Sequence, residues 1–194
     1  AMVLGDNIFY GNGLGERLKE AAETAKNGKA TLFGYYVNDP ERFGVIEFDD
    51  NGKVVSLEEK PKKAKSNYAA TGLYFYDKDV VKYAKQVNFS ERHELEITDL
   101  NKIYLEKGRL TVQLLGRGNA WLDAGTIDSL VEAASFVQIV EKRQGIQISA
   151  LEEIAYNNGW ISKKELDKAA KLYGKSEYGA YLKTVLSGKI KTQS

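Results

Sequence analysis

Residues 44–57 read Gly44-Val45-Ile46-Glu47-Phe48-Asp49-Asp50-Asn51-Gly52-Lys53-Val54-Val55-Ser56-Leu57. Apolar and β-branched residues stand on both sides of Asp50-Asn51-Gly52, a tripeptide that is typical of a tight turn. We therefore predict a β-hairpin with strands at 44–48 and 53–57. The proline of Glu58-Glu59-Lys60-Pro61 then ends the second strand, because it has no N–H to donate to a ladder.

Helices and strands alternate on both sides of this hairpin. Apolar periodicity predicts strands at 31–37, 68–76 and 110–114, and helices at 14–26, 78–85 and 98–106. After Trp121-Leu122 the pattern is helical only. It predicts helices at 126–144 and 176–186, and two more that begin at capping boxes, Ser149 with Glu152 and Ser162 with Glu165. We expect an α/β core in residues 1–126 and a C-terminal helical region in residues 127–194.

The composition limits the class of protein. The 194 residues carry a net charge of +1 and are 43% hydrophobic and 28% charged, which is typical of an ordinary globular protein. No basic stripe alternates with aromatic residues, so we expect no nucleic-acid partner. No apolar run is long enough to span a bilayer, so we expect no membrane association. Cysteine is absent, which fits a cytoplasmic protein and excludes a thiolate metal site.

Two aspartates each follow a short apolar run. Asp6 ends Val3-Leu4-Gly5-Asp6, and Asp123 ends Trp121-Leu122-Asp123. Open α/β sheets place ligand-binding groups at the carboxyl ends of their strands, and Mg²⁺ takes one or two carboxylates together with phosphate oxygens and water. An aspartate at a strand end is also a common turn former or helix cap, so these two residues alone leave both interpretations open.

Two cationic residues suit phosphate. Lys60 could meet a phosphate as a point charge, with Glu59 beside it as an acceptor for sugar hydroxyls; Lys60 equally begins a solvated basic run. Arg92 presents a planar fork that suits phosphate oxygens, although an ion pair with a neighbouring glutamate accounts for it as well. His93 is the single histidine, and we interpret it as structural.

A glycine-rich stretch, Gly11-Asn12-Gly13-Leu14-Gly15, precedes the first predicted helix. A dinucleotide fingerprint would need a glycine where Glu16 stands and a strand directly before the first glycine, and a P-loop would need a lysine. We therefore interpret the stretch as the entry loop of a helix.

Six segments, read together and in this order, resemble the glucose-1-phosphate thymidylyltransferase family. They are residues 4–11 (LGDNIFYG), 43–48 (FGVIEF), 57–61 (LEEKP), 67–76 (NYAATGLYFY), 92–99 (RHELEITD) and 121–126 (WLDAGT). The resemblance extends over practically the whole chain, and six ordered motifs are far more specific than any one of them.

The resemblance implies a fold and a reaction. The fold is α/β, the nucleotide-diphospho-sugar transferase fold, with a mixed sheet between helices. The reaction joins dTTP and glucose 1-phosphate into dTDP-glucose and pyrophosphate, with Mg²⁺ as cofactor, as in dTDP-rhamnose biosynthesis. The family also implies a homo-oligomer.

The resemblance implies roles for ten residues. Asp6 and Asp123 correspond to the metal ligands, and Lys60 and Asp123 to the catalytic residues. The residues implied to bind the sugar phosphate are Gly44, Glu59, Lys60, Tyr74, Arg92 and Trp121. A second, regulatory nucleotide site is implied at Arg117 and Glu153.

The chain also departs from the family pattern. The family's Gly-Thr-Arg-Leu-x-Pro segment, which cradles the triphosphate, does not occur between Ala1 and Ser194. The family commonly has Tyr in place of Phe43, Gly in place of His93 and Arg in place of Asn157. We therefore expect an N-terminally truncated core that is inactive as an isolated chain. The alternatives are a non-catalytic sugar-phosphate-binding or assembly module, and a pyrophosphorylase for another nucleotide or sugar.

Overall fold

The computed structural model describes residues 1–190, and the chain forms two compact units, Ala1–Gly125 and the residues from Thr126 onward. Within the described residues, every strand belongs to the first unit. The strands are Met2–Val3 (β1), Asn7–Gly11 (β2), Ala30–Tyr36 (β3), Gly44–Phe48 (β4), Val54–Glu59 (β5), Tyr68–Phe75 (β6), Leu110–Leu115 (β7) and Asn119–Asp123 (β8). Its helices are Leu14–Lys26 (α1), Val80–Ala84 (α2) and Ile97–Glu106 (α3), and a 3₁₀ turn spans Pro40–Arg42.

The main sheet is mixed. Its strand order is β5-β4-β6-β3-β7, and β1 lies along β6. The pair β3–β7 is parallel, whereas β3–β6, β4–β6, β4–β5 and β1–β6 are antiparallel. The hairpin predicted at residues 44–57 is confirmed as β4–β5, with Gly44 opposite Glu59. The Asp49 carboxylate closes its turn by accepting bonds from the Asn51 and Lys53 amides at 3.0 and 2.8 Å.

Helices cover both faces of this sheet, because successive residues of a strand point to opposite sides. Phe33 of β3 packs with Ala21 and Leu18 of α1 on one face. Its neighbour Leu32 packs on the other face, in a cluster that also includes Ile97 of α3. The fold predicted from the resemblance, a mixed sheet between helices, is therefore confirmed.

The strand β2 was not predicted from the sequence. It forms a two-stranded antiparallel ribbon with β8, in which Asn7 lies opposite Asp123. The expectation that no strand directly precedes Gly11 is therefore wrong. The glycine-rich stretch still serves as a helix entry, since Gly13 is the N-cap of α1 with a left-handed φ of 75°. Because β2 and β8 run side by side, Asp6 and Asp123 are brought to one end of the ribbon.

The second unit consists of helices. Its helices are Ile127–Gln144 (α4), Leu151–Asn157 (α5), Lys163–Leu172 (α6) and Glu177–Leu186 (α7). Leu166 of α6 and Leu182 of α7 are fully buried in the core of this unit. None of the helices in residues 1–190 is both long and apolar enough to cross a membrane.

One of the two predicted capping boxes is present. Ser162 and Glu165 form a reciprocal box that begins α6, which confirms that prediction. The box predicted for Ser149 with Glu152 is wrong, because Ala150 is the N-cap of α5 and Ser149 has a left-handed φ of 59°. The Glu152 carboxylate accepts hydrogen bonds from Tyr173 and Tyr178 instead, at 2.9 and 2.5 Å, and these bonds hold its pKa below the usual value.

Candidate active site

A cleft of about 250 Å³ opens at one end of the sheet in the first unit. Seven of the ten residues given roles from the sequence line it: Asp6, Gly44, Glu59, Lys60, Tyr74, Trp121 and Asp123. Arg92 lines an adjoining, more open pocket of about 900 Å³ that shares Glu59 and Lys60 with the cleft. The structure thus brings together residues that lie up to 117 positions apart in the sequence.

The two aspartates converge. Asp6 lies in the turn between β1 and β2. Its backbone carbonyl accepts a hydrogen bond, 2.8 Å long, from the amide of Ala124, the residue that follows Asp123. A Cβ built on Gly125 would stand 2.9 Å from Asp123 Oδ1 and 3.5 Å from Asp6 Oδ2. Both carboxylates therefore lie within 3.5 Å of a single point, and the glycine keeps that point clear of a side chain.

Asn7 fixes the orientation of Asp6. Its amide oxygen accepts hydrogen bonds from the Trp121 indole at 2.6 Å and from the Gly72 amide at 3.0 Å. Its amide nitrogen donates to Asp6 Oδ1 at 2.9 Å. Since these bonds connect β2, β6 and β8, the position of the Asp6 carboxylate depends on the packing of three strands. Asn7 is not among the site residues predicted from the sequence, although its place directly after Asp6 was a signal.

Glu59 is held in place by a second residue that was not predicted from the sequence. Thr98, which is buried in the first turn of α3, donates its hydroxyl to Glu59 Oε2 at 2.5 Å. Glu59 lies opposite Gly44 in the hairpin. A Cβ on Gly44 would meet Thr98 Oγ1 at 2.9 Å and Glu59 Oε2 at 3.3 Å, so a glycine is needed at this position.

The resemblance implies glucose 1-phosphate as the ligand of this cleft. On that expectation, replacing Gly44 by alanine should weaken its binding about tenfold or more, since one added methyl group in a tight pocket has effects of this size. The methyl group would push Glu59 and Thr98 apart. Isothermal titration of the variant with glucose 1-phosphate measures the change. Gly116→Ala is the matched control, because a Cβ on Gly116 has no neighbour within 4 Å. Equal affinities in the two variants would contradict this explanation.

Lys60 has an unusual backbone. It directly follows β5 and has a φ of 40°, in the left-handed region that costs a non-glycine residue roughly 1 kcal/mol. Its amide donates to the Phe43 carbonyl at 3.0 Å, so the pairing of the two strands continues past Glu59. Strained residues of this kind concentrate at binding and catalytic sites, which agrees with the place of Lys60 in the cleft wall.

Arg92 is surrounded by carboxylates. Its guanidinium lies 2.8 Å from Glu94, 3.4 Å from Glu96 and 3.8 Å from Glu59. The ion pair considered from the sequence is therefore present. Next to it, His93 has a left-handed φ of 58°, which explains why the resembled family commonly has glycine at this position.

Aromatic side chains form the apolar wall of the cleft. The Trp121 ring meets Phe43 and Tyr35 edge-on, with centroids 5.0 and 5.9 Å apart. Tyr74 is nearly buried, and this burial, together with the negative charge of Glu59, raises the pKa of its hydroxyl well above the usual value. The Tyr74 hydroxyl is therefore protonated at neutral pH.

The two residues predicted for a regulatory site lie in different units. Arg117 is exposed in the turn between β7 and β8. Glu153 belongs to α5, is only 5% exposed, and accepts a hydrogen bond from the Tyr181 hydroxyl at 2.5 Å. Among the described residues, no partner reaches its other carboxylate oxygen. A regulatory role for these two residues stays a prediction.

Comparison with known proteins gives a family for this arrangement. Residues 1–139 match the family model described as Nucleotidyl transferase. A glucose-1-phosphate thymidylyltransferase of Neisseria gonorrhoeae is 58% identical over 181 residues, which are 93% of this chain and 62% of that protein. One from Mycobacterium tuberculosis is 50% identical over 186 residues, which are 96% of this chain and 64% of that protein. The chain therefore spans somewhat less than two thirds of the length of these relatives.

Solved structures share the fold. A Bacillus anthracis protein assigned as a glucose-1-phosphate thymidylyltransferase, in complex with sucrose, is 42% identical with a TM-score of 0.60, over 69% of this chain and 52% of that one. A UDP-glucose pyrophosphorylase is 19% identical with a TM-score of 0.59, a likeness of fold alone. Because the family match takes in every strand of the sheet and both cleft aspartates, the chain belongs to the nucleotidyl transferase family.

Proposed function

We propose that the protein is a glucose-1-phosphate thymidylyltransferase, which forms dTDP-glucose and pyrophosphate from dTTP and glucose 1-phosphate, and that this chain supplies its sugar-phosphate-binding half. One observation carries the proposal: Asp6, Glu59, Lys60 and Asp123 line a single cleft. The identity of 50–58% to relatives named for this activity supports it.

In this proposal the sugar sits against Glu59, Gly44 and Tyr74. Glu59 Oε2 already accepts from Thr98, so its carboxylate is fixed in place and its remaining lone pairs can accept from sugar hydroxyls. The protonated Tyr74 hydroxyl can donate to a sugar oxygen. Gly44 keeps the cleft open beside both residues, since any larger side chain would fill the space.

The phosphate sits against Lys60 and Arg92. Lys60 projects from the end of β5 and presents a mobile ammonium group to the phosphate oxygens. Arg92 reaches this region through its contact with Glu59, at 3.8 Å. With the sugar phosphate held, one of its oxygens forms a bond to the α-phosphorus of the nucleotide while the bond to pyrophosphate breaks. The protein contributes chiefly by positioning these groups and neutralising charge.

The residues at the end of the β2–β8 ribbon fit a magnesium ion. Asp6 Oδ1 accepts from Asn7 and Asp123 Oδ1 from the Gly125 amide, and within residues 1–190 no hydrogen bond reaches the Oδ2 of either aspartate. No group of three or more potential ligand side chains occurs in this described part, but Mg²⁺ needs only one or two carboxylates when phosphate oxygens and water complete its shell. A divalent cation held by Asp6 and Asp123 would supply positive charge beside the reacting phosphates.

The proposal is tested by equilibrium dialysis of this chain with glucose 1-phosphate, galactose 1-phosphate and N-acetylglucosamine 1-phosphate. We expect glucose 1-phosphate to be retained most strongly. Stronger retention of another sugar phosphate would replace the proposal with a pyrophosphorylase for that sugar. Retention of none of the three would contradict a sugar-phosphate site.

We expect no pyrophosphate release when the isolated chain is mixed with dTTP, glucose 1-phosphate and Mg²⁺. Its 194 residues contain no Gly-Thr-Arg-Leu segment to hold the triphosphate, and an unpositioned reactant loses several kcal/mol of catalysis. A coupled phosphate assay with pyrophosphatase measures the release. Turnover that disappears in Asp123→Ala would show that the chain is active on its own.

A second candidate, an assembly role as a homo-oligomer, is favoured by one observation. Three apolar residues that lie on one face of α4, at helical spacing, are exposed: Ile127, Leu130 and Val131. Such a stripe is typical of a helix that packs against a partner. Sedimentation velocity tests this candidate, and a monomer at high protein concentration would argue against it.

A further inference from the structure

Arg42 lines the cleft, and no role described above accounts for it. It ends the 3₁₀ turn Pro40–Arg42, just before β4 begins. Its neighbour Phe43 accepts the hydrogen bond from the Lys60 amide. Arg42 and Lys60 therefore leave the β4–β5 hairpin at the same end, and both reach the same cleft.

Two contacts hold the Arg42 guanidinium. Its Nη1 lies 2.9 Å from Asp39 Oδ2, and its Cζ lies 5.3 Å from the centre of the Phe43 ring. Phe43 is itself fixed edge-on against Trp121. The side chain lines the cleft and remains 49% exposed, so these two contacts leave much of it accessible. An arginine oriented in this way is suited to receive a second anion.

The charges in the cleft require a further cation. Asp6, Glu59 and Asp123 contribute three negative charges, whereas Lys60 alone contributes one positive charge. In the absence of a divalent cation, a doubly negative phosphate would meet net repulsion there without Arg42. Arg92 offsets only part of this charge, because its guanidinium is shared among Glu59, Glu94 and Glu96, which all lie within 4 Å of it. Arg42 has a single carboxylate partner within ion-pair distance in the described residues.

We propose that Arg42 contacts the phosphate of the sugar phosphate and acts with Lys60 as a pair of cations around it. The proposal rests on the proposed function, because it assigns a further binding residue to the same cleft. The guanidinium donates to phosphate oxygens from the β4 side, and the ammonium of Lys60 approaches from the β5 side.

The test is the dissociation constant of glucose 1-phosphate, measured by isothermal titration without divalent metal. Arg42→Gln is expected to raise it about tenfold or more, as for other losses of a charge-assisted hydrogen bond. Lys60→Gln is expected to raise it similarly, and Arg42→Lys is expected to raise it less because it keeps the charge. Arg143→Gln, at an exposed arginine of α4, is the matched control and is expected to leave it unchanged.

Inorganic phosphate is the second probe, used as a competitor of glucose 1-phosphate. Its binding is expected to weaken in parallel in Arg42→Gln, a loss that a mere change in the shape of the sugar pocket would not produce. Unchanged affinity in Arg42→Gln with weakened binding in Lys60→Gln would overturn the role of Arg42 and leave the proposed function standing. No binding of glucose 1-phosphate to the unchanged chain would overturn both.

Discussion

Replacing Asp123 by asparagine is expected to weaken Mn²⁺ binding to this chain by at least about tenfold, since changes even to residues behind the ligands of a metal site have effects of this size. Asparagine has nearly the same shape as aspartate, and its side-chain oxygen can still accept the hydrogen bond from the Gly125 amide, which is 2.8 Å long in the unchanged chain. It removes one of the two negative charges that converge near Gly125. Titration with Mn²⁺ followed by electron paramagnetic resonance measures the affinity.

The matched control for this change is Asp128→Asn. Asp128 is exposed in the first turn of α4 and does not line the cleft. We expect the control to bind Mn²⁺ like the unchanged chain. If Asp123→Asn also left the affinity unchanged, Asp6 and Asp123 would not be a metal site.

Replacing Asp77 by alanine is expected to lower the free energy of unfolding of the first unit by about 3 kcal/mol. Asp77 is 7% exposed and pairs with Arg109 at 2.5 Å, while the buried Tyr104 hydroxyl donates to it at 2.6 Å. The substitution would leave the guanidinium and the hydroxyl without their shared acceptor, and such orphaned groups are costly. Urea denaturation, followed by the fluorescence of Trp121 in a Trp160→Phe background, reports on this unit.

Asp79→Ala is the control for the change at Asp77. The Asp79 carboxylate also pairs with Arg109, at 3.0 Å, but its side chain is 35% exposed, against 4% for Asp77. Its hydrogen bond from Arg109 lowers the pKa of Asp79 below the usual value, so the pair stays ionised at neutral pH. We expect a clearly smaller loss of stability, because exposed ion pairs contribute little. Equal losses of stability in Asp77→Ala and Asp79→Ala would show that the burial of Asp77 does not set the size of the effect.

Much of the fold was predictable because its signals are local. The hairpin was found from the Asp50-Asn51-Gly52 turn, and α1 was found with its observed bounds from apolar spacing and the Asn27-Gly28 stop. Strand β2 escaped prediction because its partner, β8, lies more than 100 residues away. The cap at Ser149 was predicted wrongly because the tyrosines of distant segments, Tyr173 and Tyr178, bind Glu152.

The candidate site was likewise predictable where the sequence signal is local and unpredictable where it depends on packing between distant segments. The residues that the family motifs mark, such as Asp6, Lys60 and Asp123, could be selected from the sequence, and the structure places them in one cleft. The residues that orient them could not be selected from the sequence. Asn7 and Thr98 act through hydrogen bonds with Trp121 and Glu59, and these bonds depend on how the strands and helices pack. Arg42 has no motif of its own, and the role proposed for it depends on its place in the cleft and on the charges there.

The central claim is that this cleft binds a sugar phosphate, and the indole signals of the two tryptophans test it most directly. Trp121 lines the cleft, whereas Trp160 is 73% exposed in the second unit. In a ¹⁵N-labelled chain titrated with glucose 1-phosphate, we predict a saturable shift of the Trp121 indole resonance and none at Trp160. A Trp121 resonance that stays in place up to a large excess of glucose 1-phosphate would contradict the account.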